Sequence, residues 1–372
     1  MTKPVRILLD GTPLDTPHSN RGIGRYTKIL FEHLFPLLEN DPCFEPKILR
    51  ISRKREKSGP TRKLIRRFNS PSRFDLIQGF FLNRFSITRT RPALYHATDF
   101  LGIPSQCSFR ILATAYDLAQ FIYPEHYFHN KAYEWVYRQA YHRYRKCDLI
   151  LAISESTRRD FSERLNIDPD RIRVTPLAAD PIFQPKTISS SQPYFLCVGM
   201  SDFRKNIETA IESFIRAAPH MRENLLILNP PPESKLRNLV QNARKAGVLN
   251  RIDLRSKRTG DKELVTLYNG ATALLFPSRY EGFGLPCLEA MNCGTPVICS
   301  TADAMIEVVG NTALTHPADD VDGFAQSMIQ LSNNPGLREN LARKGRERSK
   351  KFSWKQTAEK TYHAYQEFID RS

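Results

Sequence analysis

The stretch from Phe276 to Ser300, FPSRYEGFGLPCLEAMNCGTPVICS, decides how this sequence folds. It starts at the end of an apolar run, passes through a glycine-containing loop, and continues as a short helix-like segment and a second apolar run. A strand, a loop, a helix and a strand in this order are typical of a parallel sheet. Ligands of such sheets bind at the carboxyl ends of the strands, where free N–H groups at a helix start favour anions.

Two glutamates in this stretch indicate what the loop and the helix bind. Glu281 lies in the loop and Glu289 about one turn inside the predicted helix, with Gly282 and Gly284 between them. Glycine lets the backbone approach a ligand closely, and carboxylates accept hydrogen bonds from hydroxyls. The spacing predicts two carboxylates that hold opposite ends of one elongated anion, such as a nucleotide sugar. The simpler alternative is a dipole-stabilising Glu281 and a solvated Glu289.

Strand-like and helix-like segments alternate along the whole chain, which predicts an α/β protein with parallel sheets. The predicted strands are 5–9, 93–96, 110–114, 149–153, 172–175, 194–198, 225–228, 272–276 and 296–299. The predicted helices are 24–37, 130–145, 206–218, 263–269, 285–291, 321–331, 335–350 and 353–368. Periodicity is lost over 179–193, a segment rich in proline and serine that predicts a domain boundary.

Length and composition predict a globular protein of two domains. The chain has 372 residues, of which 41% are apolar and 25% charged, and one hydrophobic core rarely organises so long a chain. No apolar run approaches the roughly 18 residues of a membrane-spanning helix, and the start is too short for a signal sequence, so we expect a cytoplasmic protein. The seven cysteines contain no C-x-x-C pair, which argues against a disulfide framework or a zinc site.

The net charge of +16 predicts an anionic partner. The segment 50–73 contains ten Lys or Arg residues and the single acid Glu56, and each basic residue near an anionic leaflet contributes roughly 1 kcal/mol of binding. An anionic membrane surface and a solvated insertion are both open interpretations of this segment. We expect no nucleic acid partner, because the net charge is the one feature of the sequence that supports it.

The string from Glu281 to Ile298, E-G-F-G-L-P-x-L-E-A-M-x-x-G-x-P-V-I, resembles the E-x7-E signature of the retaining glycosyltransferases of family 4. The resemblance implies a GT-B fold: two Rossmann-like domains whose parallel sheets face an interdomain cleft, and a C-terminal helix that crosses back to the first domain. We place the acceptor-side domain at 1–182, the nucleotide-sugar domain at 183–352 and the returning helix at 353–372.

The same resemblance implies roles for individual residues. Glu281 would face sugar hydroxyls and Glu289 would hold the ribose. The donor-binding backbone near sugar and phosphates would be that of Gly282, Phe283, Gly284 and Leu285. Retaining transfer from a nucleotide diphosphate is implied in the same way.

A second segment is similar to the same family. Gly199 and the run Arg204, Lys205 and Asn206 follow a predicted strand and resemble the family's G-x-x-x-x-R-K-N element. The resemblance implies that the two cations neutralise the donor diphosphate and stabilise it as a leaving group. Asn206 suits the cap of the helix that follows. Taken alone, Arg204 and Lys205 would be ordinary surface cations.

The first half resembles the family in one loop and departs from it in another. Gly22 and Gly24 belong to a G-I-G-R-Y string that resembles the family's glycine-rich loop, which implies contact with donor phosphates or acceptor. Tyr116 stands where the family has the histidine of H-D-L, whereas the neighbouring Asp117 matches. A tyrosine hydroxyl hydrogen-bonds a sugar but does not protonate near neutral pH. His96, in a strand-end position, is interpreted as structural.

No metal and no other cofactor is expected, since GT-B enzymes hold the diphosphate with cations and helix ends. The string Asp168-Pro169-Asp170 is superficially a D-x-D metal motif, but the proline favours a turn. Pro230 to Pro232 replace the short glycine-rich turn of the family. They remove backbone donors and stiffen the loop, which predicts a change in how the nucleotide base is held.

The resemblance therefore implies a retaining hexosyltransferase that moves a sugar, mannose by family habit, from a nucleotide-diphosphate donor to a glycan or lipid-linked acceptor in surface polysaccharide synthesis. We expect it on the inner face of the membrane as a peripheral protein. The alternative is a catalytically silent GT-B-like subunit that binds nucleotide sugar or an anionic polymer, which Tyr116 and the altered loops would suit. The sequence leaves base, linkage and oligomeric state open.

Overall fold

The structure, a computed structural model, describes residues 4–15, 22–50, 87, 90, 92–188, 192–257 and 259–370. The chain divides into two compact units. The first unit consists of residues 1–177 together with 354–372, and the second unit of residues 178–353. The basic segment of the sequence lies outside the described residues from 51 to 73.

The first unit is built on a six-stranded parallel sheet in the order β2-β1-β3-β4-β5-β6. Its strands are β1 Val5–Asp10, β2 Phe44–Leu49, β3 Leu94–Ala97, β4 Arg110–Ala115, β5 Leu149–Ala152 and β6 Ile172–Val174. All four residues of β3 and of β5 are buried. Strands covered on both faces are apolar without alternation, as predicted from these runs.

Helices in this part of the chain cover the sheet. They are α1 Gly22–Glu39, α2 Ala119–Ile122, α3 Pro124–Tyr127, α4 Lys131–His142 and α5 Glu155–Leu165. Leu30, Leu34 and Leu38 recur at every fourth position of α1 and are fully buried, so one face of this helix packs on the core. The predicted glycine loop is wrong, because α1 already begins at Gly22 and contains Gly24.

The second unit repeats this architecture with a six-stranded parallel sheet in the order β12-β11-β10-β7-β8-β9. Its strands are β7 Tyr194–Cys197, β8 Asn224–Leu228, β9 Ile252–Arg255, β10 Ala273–Phe276, β11 Val297–Ser300 and β12 Leu314–His316. Its helices are α6 Ile207–Ala217, α7 Glu233–Lys245, α8 Asp261–Gly270, α9 Leu285–Cys293, α10 Asp303–Val309, α11 Val321–Asn333 and α12 Pro335–Ser349. Phe214, Leu275 and Met328 are among the fully buried residues of its core.

The last helix, α13 Trp354–Asp370, returns to the first unit. It packs along α1, and the ring of Trp354 lies 5.9 Å from that of Tyr26. The Thr357 hydroxyl donates to the Pro176 carbonyl at 2.5 Å, and the Tyr362 hydroxyl donates to Asp41 at 2.6 Å. The predicted crossing of the C-terminal helix to the first domain is confirmed. No helix of the described residues is long and apolar enough to cross a membrane.

Candidate active site

Strand order fixes where a site can form in the second unit. The chain winds outward from β7 through β8 to β9 on one side, and from β10 through β11 to β12 on the other. Between β7 and β10 the connecting loops turn away from each other and leave a crevice at the carboxyl ends of the strands, where ligands of such sheets bind. The segments that follow these two strands, residues 198–206 and 277–284, are those singled out in the sequence.

Direct hydrogen bonds join these two segments. The Arg204 carbonyl accepts from the Arg279 N–H at 2.7 Å, and the Ser278 hydroxyl oxygen lies 3.0 Å from the same carbonyl oxygen. Ser278 is fully buried, and its own carbonyl accepts from the Ser300 hydroxyl at 2.5 Å. The loop after β7 is therefore fixed against the loop after β10, which brings the predicted cations to the predicted glutamate.

Lys205 and Glu281 form an ion pair at the centre of the crevice. The Lys205 Nζ lies 2.6 Å from Glu281 Oε1, and the two side chains are only 14% and 10% exposed. The Ser278 hydroxyl donates to the same Oε1 at 2.6 Å, and the ammonium lies 4.5 Å from the centre of the Phe276 ring. Charge-assisted bonds between groups so little exposed hold the carboxylate in one position.

Arg204 is paired with Asp202, a residue that the sequence analysis missed. Its Nη2 donates to Asp202 Oδ2 at 2.9 Å, and its Nε contacts both carboxylate oxygens at 3.3 Å. Asp202 also accepts from the Arg204 N–H at 3.0 Å. An aspartate two residues before a basic residue at a helix-like turn is a signal that the sequence carried, since such side chains cap the turn.

Asn206 caps helix α6, as predicted. Its backbone is left-handed with φ 56°, and its side chain accepts from the Thr209 N–H at 3.4 Å. Its amide nitrogen donates to the Ala318 carbonyl at 2.7 Å and to Asp319 at 3.1 Å. Asp319 in turn accepts from Arg279 at 2.9 Å. These bonds connect both loops of the crevice to the segment after β12.

The glycines of the crevice have the backbone conformations that require glycine. Gly199 has φ 71° and Gly284 has φ 110°, in the region that side chains with a Cβ rarely adopt. Gly284 immediately precedes α9, and a Cβ there would lie 3.3 Å from Met305. In the first turn of α9, Pro286 has no N–H and the Cys287 N–H donates to the Gly284 carbonyl at 3.0 Å, so the Leu285 N–H is the group suited to an anion. Gly282 and the buried Phe283 lead into this turn.

Glu289 lies in the second turn of α9, as predicted, and is held from another helix. The hydroxyl of Tyr268, on α8, donates to Glu289 Oε2 at 3.0 Å. Burial raises the pKa of the Tyr268 phenol well above its usual value, so the phenol stays a hydrogen-bond donor. The Thr295 hydroxyl donates a hydrogen bond to the Tyr268 carbonyl at 2.7 Å. No signal in the sequence indicated this contact, because it joins residues of different elements.

The remaining predicted site residues belong to the first unit. Tyr116, after β4, is half-buried, and its hydroxyl donates to the Thr98 carbonyl at 2.7 Å. Asp117 accepts from the Ala119 N–H at 2.9 Å and so starts α2. Gly22 is exposed at the start of α1, whereas Gly24 is buried two residues further on. The structure places these four predicted site residues, Gly22, Gly24, Tyr116 and Asp117, at or after the carboxyl ends of β1 and β4.

His96 is structural, in agreement with the sequence interpretation. Its ring is fully buried and hydrogen-bonds the Tyr365 hydroxyl of α13 at 2.5 Å and the Thr114 hydroxyl at 2.9 Å. Burial lowers its pKa to about 3, so the ring is neutral at physiological pH. The Tyr26 hydroxyl lies 3.3 Å from the same Thr114 oxygen. This neutral network ties β3, β4, α1 and α13 together.

The aspartates and cysteines that the sequence offered as possible metal ligands lie in a turn and in the core. Among the residues that the structure describes, no three His, Cys, Asp or Glu side chains lie together as a metal site would need. Asp168 accepts from the Asp170 N–H at 2.9 Å, which confirms the predicted turn. Cys287, Cys293 and Cys299 are buried thiols.

Two family models cover most of this chain. "Glycosyltransferase Family 4" matches residues 37–182, and "Glycosyl transferases group 1" matches residues 179–348. The chain belongs to the group 1, family 4 glycosyltransferases. This membership agrees with the resemblance carried by the E-x7-E string. The second match contains every predicted site residue of the second unit.

Relatives of this glycosyltransferase include the O-antigen chain mannosyltransferase B of Escherichia coli, 28% identical over 73% of this chain and 74% of the relative. The serotype-specific mannosyltransferase WbdA of Escherichia coli is 26% identical over 71% of this chain, which corresponds to 34% of that longer protein.

Solved structures share the fold of the glycosyltransferase. Sucrose-phosphate synthase from Thermosynechococcus elongatus superposes with a TM-score of 0.73 at 22% identity, covering 99% of this chain and all of that one. Anabaena HepE in complex with UDP and glucose has a TM-score of 0.67 at 14% identity, covering 97% and 99%. The predicted two-domain α/β GT-B fold is confirmed.

Proposed function

We propose that this glycosyltransferase moves a hexose from a nucleotide-diphosphate sugar to a glycan or lipid-linked acceptor with retention of anomeric configuration. The observation that carries the proposal is the pair of Lys205 and Glu281, 2.6 Å apart at the switch point of the second sheet. A cation for phosphate and a carboxylate for sugar hydroxyls lie next to each other there. In a nucleotide sugar, a single bond joins the phosphate and the sugar that these two side chains would contact.

The sugar and the product are proposed from the relatives. Both mannosyltransferases named above support a mannose-type donor, and the name of the first supports a role in surface polysaccharide synthesis. Anabaena HepE, whose structures hold UDP and UDP-glucose, supports a nucleotide sugar as the donor. The chemistry of the crevice is compatible with each of these ligands.

Lys205 can serve both parts of the donor at once. An ammonium has three N–H donors, so it can keep its bond to Glu281 and still donate to a phosphate oxygen. Glu281, held by Lys205 and Ser278, then accepts from sugar hydroxyls in a fixed position. Pairing also limits the cost of leaving either charge in a crevice where it is only 14% or 10% exposed.

The transfer step needs no nucleophile from the protein. The bond between the anomeric carbon and the diphosphate oxygen breaks, and the acceptor hydroxyl attacks the same face of the sugar to form the new glycosidic bond. Its proton passes to the departing phosphate oxygen. Arg204, Lys205 and the Leu285 N–H at the start of α9 stabilise the charge that develops on the diphosphate, because donors already in position need no rearrangement during the reaction.

Asp202 has a supporting part in this mechanism. A guanidinium is a rigid fork, so its contacts with Asp202 over 2.9–3.3 Å fix its orientation. In this mechanism Tyr116 and Asp117 contact the acceptor, and Glu289 holds the ribose. It includes no metal, because Arg204 and Lys205 supply the positive charge.

The place of action is proposed from charge. Ten basic residues against one acid in the segment 50–73 favour an anionic leaflet, which suits a peripheral enzyme on the inner face of the membrane that uses lipid-linked acceptors. Vesicle flotation with and without anionic lipid tests this part separately from catalysis.

The central experiment combines a donor panel with product analysis. The full chain is incubated with UDP-, GDP- and ADP-hexoses and an oligosaccharide or lipid-linked acceptor, and the released nucleoside diphosphate is measured. We expect one donor to release its diphosphate only with acceptor present, and NMR of the product to show the anomeric configuration of the donor. Inverted configuration would reject the retaining mechanism, and absence of transfer with every donor would reject the enzyme.

A silent binding subunit is the second candidate, and one observation favours it. The Tyr116 hydroxyl, in place of the family histidine, is already engaged by the Thr98 carbonyl at 2.7 Å. If this position were essential for turnover, the chain would bind donor without transferring sugar. Tyr116→His distinguishes the two candidates, since it would create activity in a silent subunit but only alter it in an enzyme.

A further inference from the structure

A cavity of ≈ 350 Å³ opens in the first unit, at the edge of the sheet where β4, β5 and β6 begin. Its lining includes three basic side chains, two acidic side chains and a buried thiol: Arg110, Lys146, Arg171, Asp148, Glu367 and Cys147. Pockets of this size hold small molecules. The proposed function uses none of these residues.

The cavity lies at the opposite edge of the sheet from the predicted acceptor residues. Arg110 is the first residue of β4, whereas Tyr116 follows the last residue of that strand. A strand rises about 3.3 Å per residue, so about 20 Å separate the two positions along the strand. A small molecule in the cavity therefore does not occupy the place of the acceptor.

Two of the basic side chains are held in place by backbone carbonyls. The Lys146 ammonium donates to the Ser105 carbonyl at 2.9 Å. Nη2 of Arg171 donates to the Arg145 carbonyl at 3.1 Å and also to the Cys147 carbonyl. Among the residues that the structure describes, neither cation forms an ion pair with a carboxylate. Their charges are therefore oriented but not neutralised.

Both of these cations keep donors for a ligand. An ammonium has three N–H donors and a guanidinium has five, and the bonds to carbonyls use one donor of Lys146 and those of Nη2 of Arg171. Arg110, on the neighbouring strand, adds a third positive charge to the lining. A concave surface with three cations attracts an anion, and the net charge of +16 gives the whole chain the same sign.

The two acidic side chains of the lining are fixed by other groups. Asp148 accepts from the Ile111 N–H at 2.8 Å. Glu367, on α13, accepts from Arg173 through both of its oxygens, at 2.9 Å and 2.5 Å. Because Arg173 balances the charge of Glu367, the lining keeps an excess of positive charge. A carboxylate has about four lone-pair sites, so both acids can also accept from hydroxyls of a ligand.

We propose that this cavity binds a small soluble phosphomonoester that carries hydroxyl groups, as a sugar phosphate does. The phosphate lies among Arg110, Lys146 and Arg171, because ionised donors form the strongest hydrogen bonds to phosphate oxygens. The hydroxyls lie toward Asp148 and Glu367. An anionic lipid surface suits the cavity less well as a source of phosphate, since both carboxylates would face it. This site does not depend on the proposed function.

Binding should stabilise the first unit, because the ligand connects residues from several of its segments. Arg110 begins β4, Arg171 precedes β6, and Glu367 belongs to α13. A ligand that binds only the folded state raises the free energy of unfolding by mass action. The urea midpoint of the first unit should therefore rise with ligand concentration, while that of the second unit stays unchanged.

Calorimetric titration of the full chain with glucose 6-phosphate, inorganic phosphate and glucose tests the site. We expect glucose 6-phosphate to bind about fivefold more tightly than inorganic phosphate, through its hydroxyls, and glucose not to bind. Lys146→Gln removes the charge but keeps an N–H for the Ser105 carbonyl, and it should weaken glucose 6-phosphate about tenfold. Lys131→Gln, at an exposed lysine of α4 in the same unit, is the control and should change nothing.

The variant Lys205→Ala separates this cavity from the donor crevice, which also attracts phosphate. Glucose 6-phosphate should bind to this variant as to the natural chain. A loss in Lys205→Ala with none in Lys146→Gln would move the site to the crevice and overturn the inference. Equal losses in Lys146→Gln and Lys131→Gln would overturn it as well, because net charge rather than the cavity would then attract phosphate.

Flotation with phosphatidylcholine vesicles, with and without phosphatidic acid, tests a lipid as the source of the phosphate. We expect Lys146→Gln to float like the natural chain on both. Weaker flotation of this variant with phosphatidic acid alone, together with no binding of glucose 6-phosphate by the natural chain, would assign the cavity to a lipid headgroup and reject a soluble ligand.

Discussion

The carboxyl edges of the two sheets differ in chemistry although the sheets have the same architecture. In the second unit, this edge carries ion pairs, Lys205 with Glu281 at 2.6 Å and Arg204 with Asp202 at 2.9 Å. In the first unit, the ion pair of Arg50 with Asp15 at 2.6 Å follows β2 and β1, whereas the ends of β3 and β4 carry neutral hydrogen bonds between the Thr114 hydroxyl and the His96 ring. The pairs of the second unit contain the cations that a diphosphate requires, and the bonds around His96 contain no charge.

This difference shows which properties the topology fixes and which it leaves to the side chains. Parallel strands bring their carboxyl ends to one edge in either unit, and so fix the place where residues converge. The side chains decide the ligand. Charges that stay 10–14% exposed remain available to an anion, whereas the fully buried His96 is occupied in holding α13.

Deletion of residues 354–372 should have the largest effect and should affect the first unit. The helix contributes the buried rings of Trp354 and Tyr365, and loss of large buried aromatic side chains costs about 4 kcal/mol or more. We expect loss of the cooperative unfolding transition of the first unit in urea, with that of the second unit retained. Deletion of 371–372 alone is the control, and unchanged unfolding after the larger deletion would contradict the role of α13.

Substitution Lys205→Ala should be next in size and should affect the second unit. It removes the cation from Glu281 and from the diphosphate, and loss of one preorganised donor lowers turnover about 100- to 1,000-fold. The measurement is kcat/KM for the donor, with unfolding by urea as a check of the fold.

The matched control for Lys205 is Lys350→Ala. Lys350 also pairs with a glutamate, Glu347, at 2.7 Å, but the two side chains are 70% and 73% exposed, and such pairs contribute little. We expect no change in kcat/KM. Similar losses in the two variants would show that the position of Lys205 in the crevice has no importance.

The neutral network of the first unit predicts a dependence of stability on pH. The pKa of His96 is lowered from 6.5 to about 3 by burial, so below pH 6.5 the unfolded chain binds a proton that the folded chain does not. Stability is therefore lost as the pH falls, by about 2 kcal/mol at pH 5. Urea unfolding at pH 7.5 and pH 5 measures it, and His96→Gln should reduce the difference. An unchanged difference in this variant would assign the dependence to other groups.

Tyr268→Phe should give the smallest effect of this series. It removes the hydrogen bond to Glu289 at 3.0 Å, for which about 1 kcal/mol is expected. Because Glu289 is proposed to hold the ribose, the KM for donor should rise about fivefold with kcat unchanged. Tyr362→Phe, which removes a bond to Asp41 in the first unit, is the control. A fall in kcat with KM unchanged would place Glu289 at the reacting carbon instead.

Sequence reasoning recovered the inner strands and the edge strand β6, and missed the other three edge strands. Strands β2, β9 and β12 were not predicted, and each is an edge of its sheet. Edge strands are short or carry charges because one side has no neighbour, as the sequences FEPKIL, IDLR and LTH illustrate. Inner strands such as LILA have no such residues, since both of their faces are covered.

The candidate site was recovered in its local motifs only. Glu281, Gly284, Lys205 and Asn206 belong to strings whose spacing has a local cause, a turn, a helix start or a cap. The contacts between different strings or elements were not predicted. Tyr268 reaches Glu289 from 21 residues away, and Lys205 reaches Glu281 across 76.

Local sequence was enough to specify the alternation of strands and helices, the glycine-flanked helix start and the family, because each is set by neighbours in the chain. Tertiary structure alone decided that Lys205 pairs with Glu281, that His96 is buried against α13, and that a basic cavity forms where β4, β5 and β6 begin. Such contacts depend on which strands lie side by side, and no local preference of the chain encodes that order.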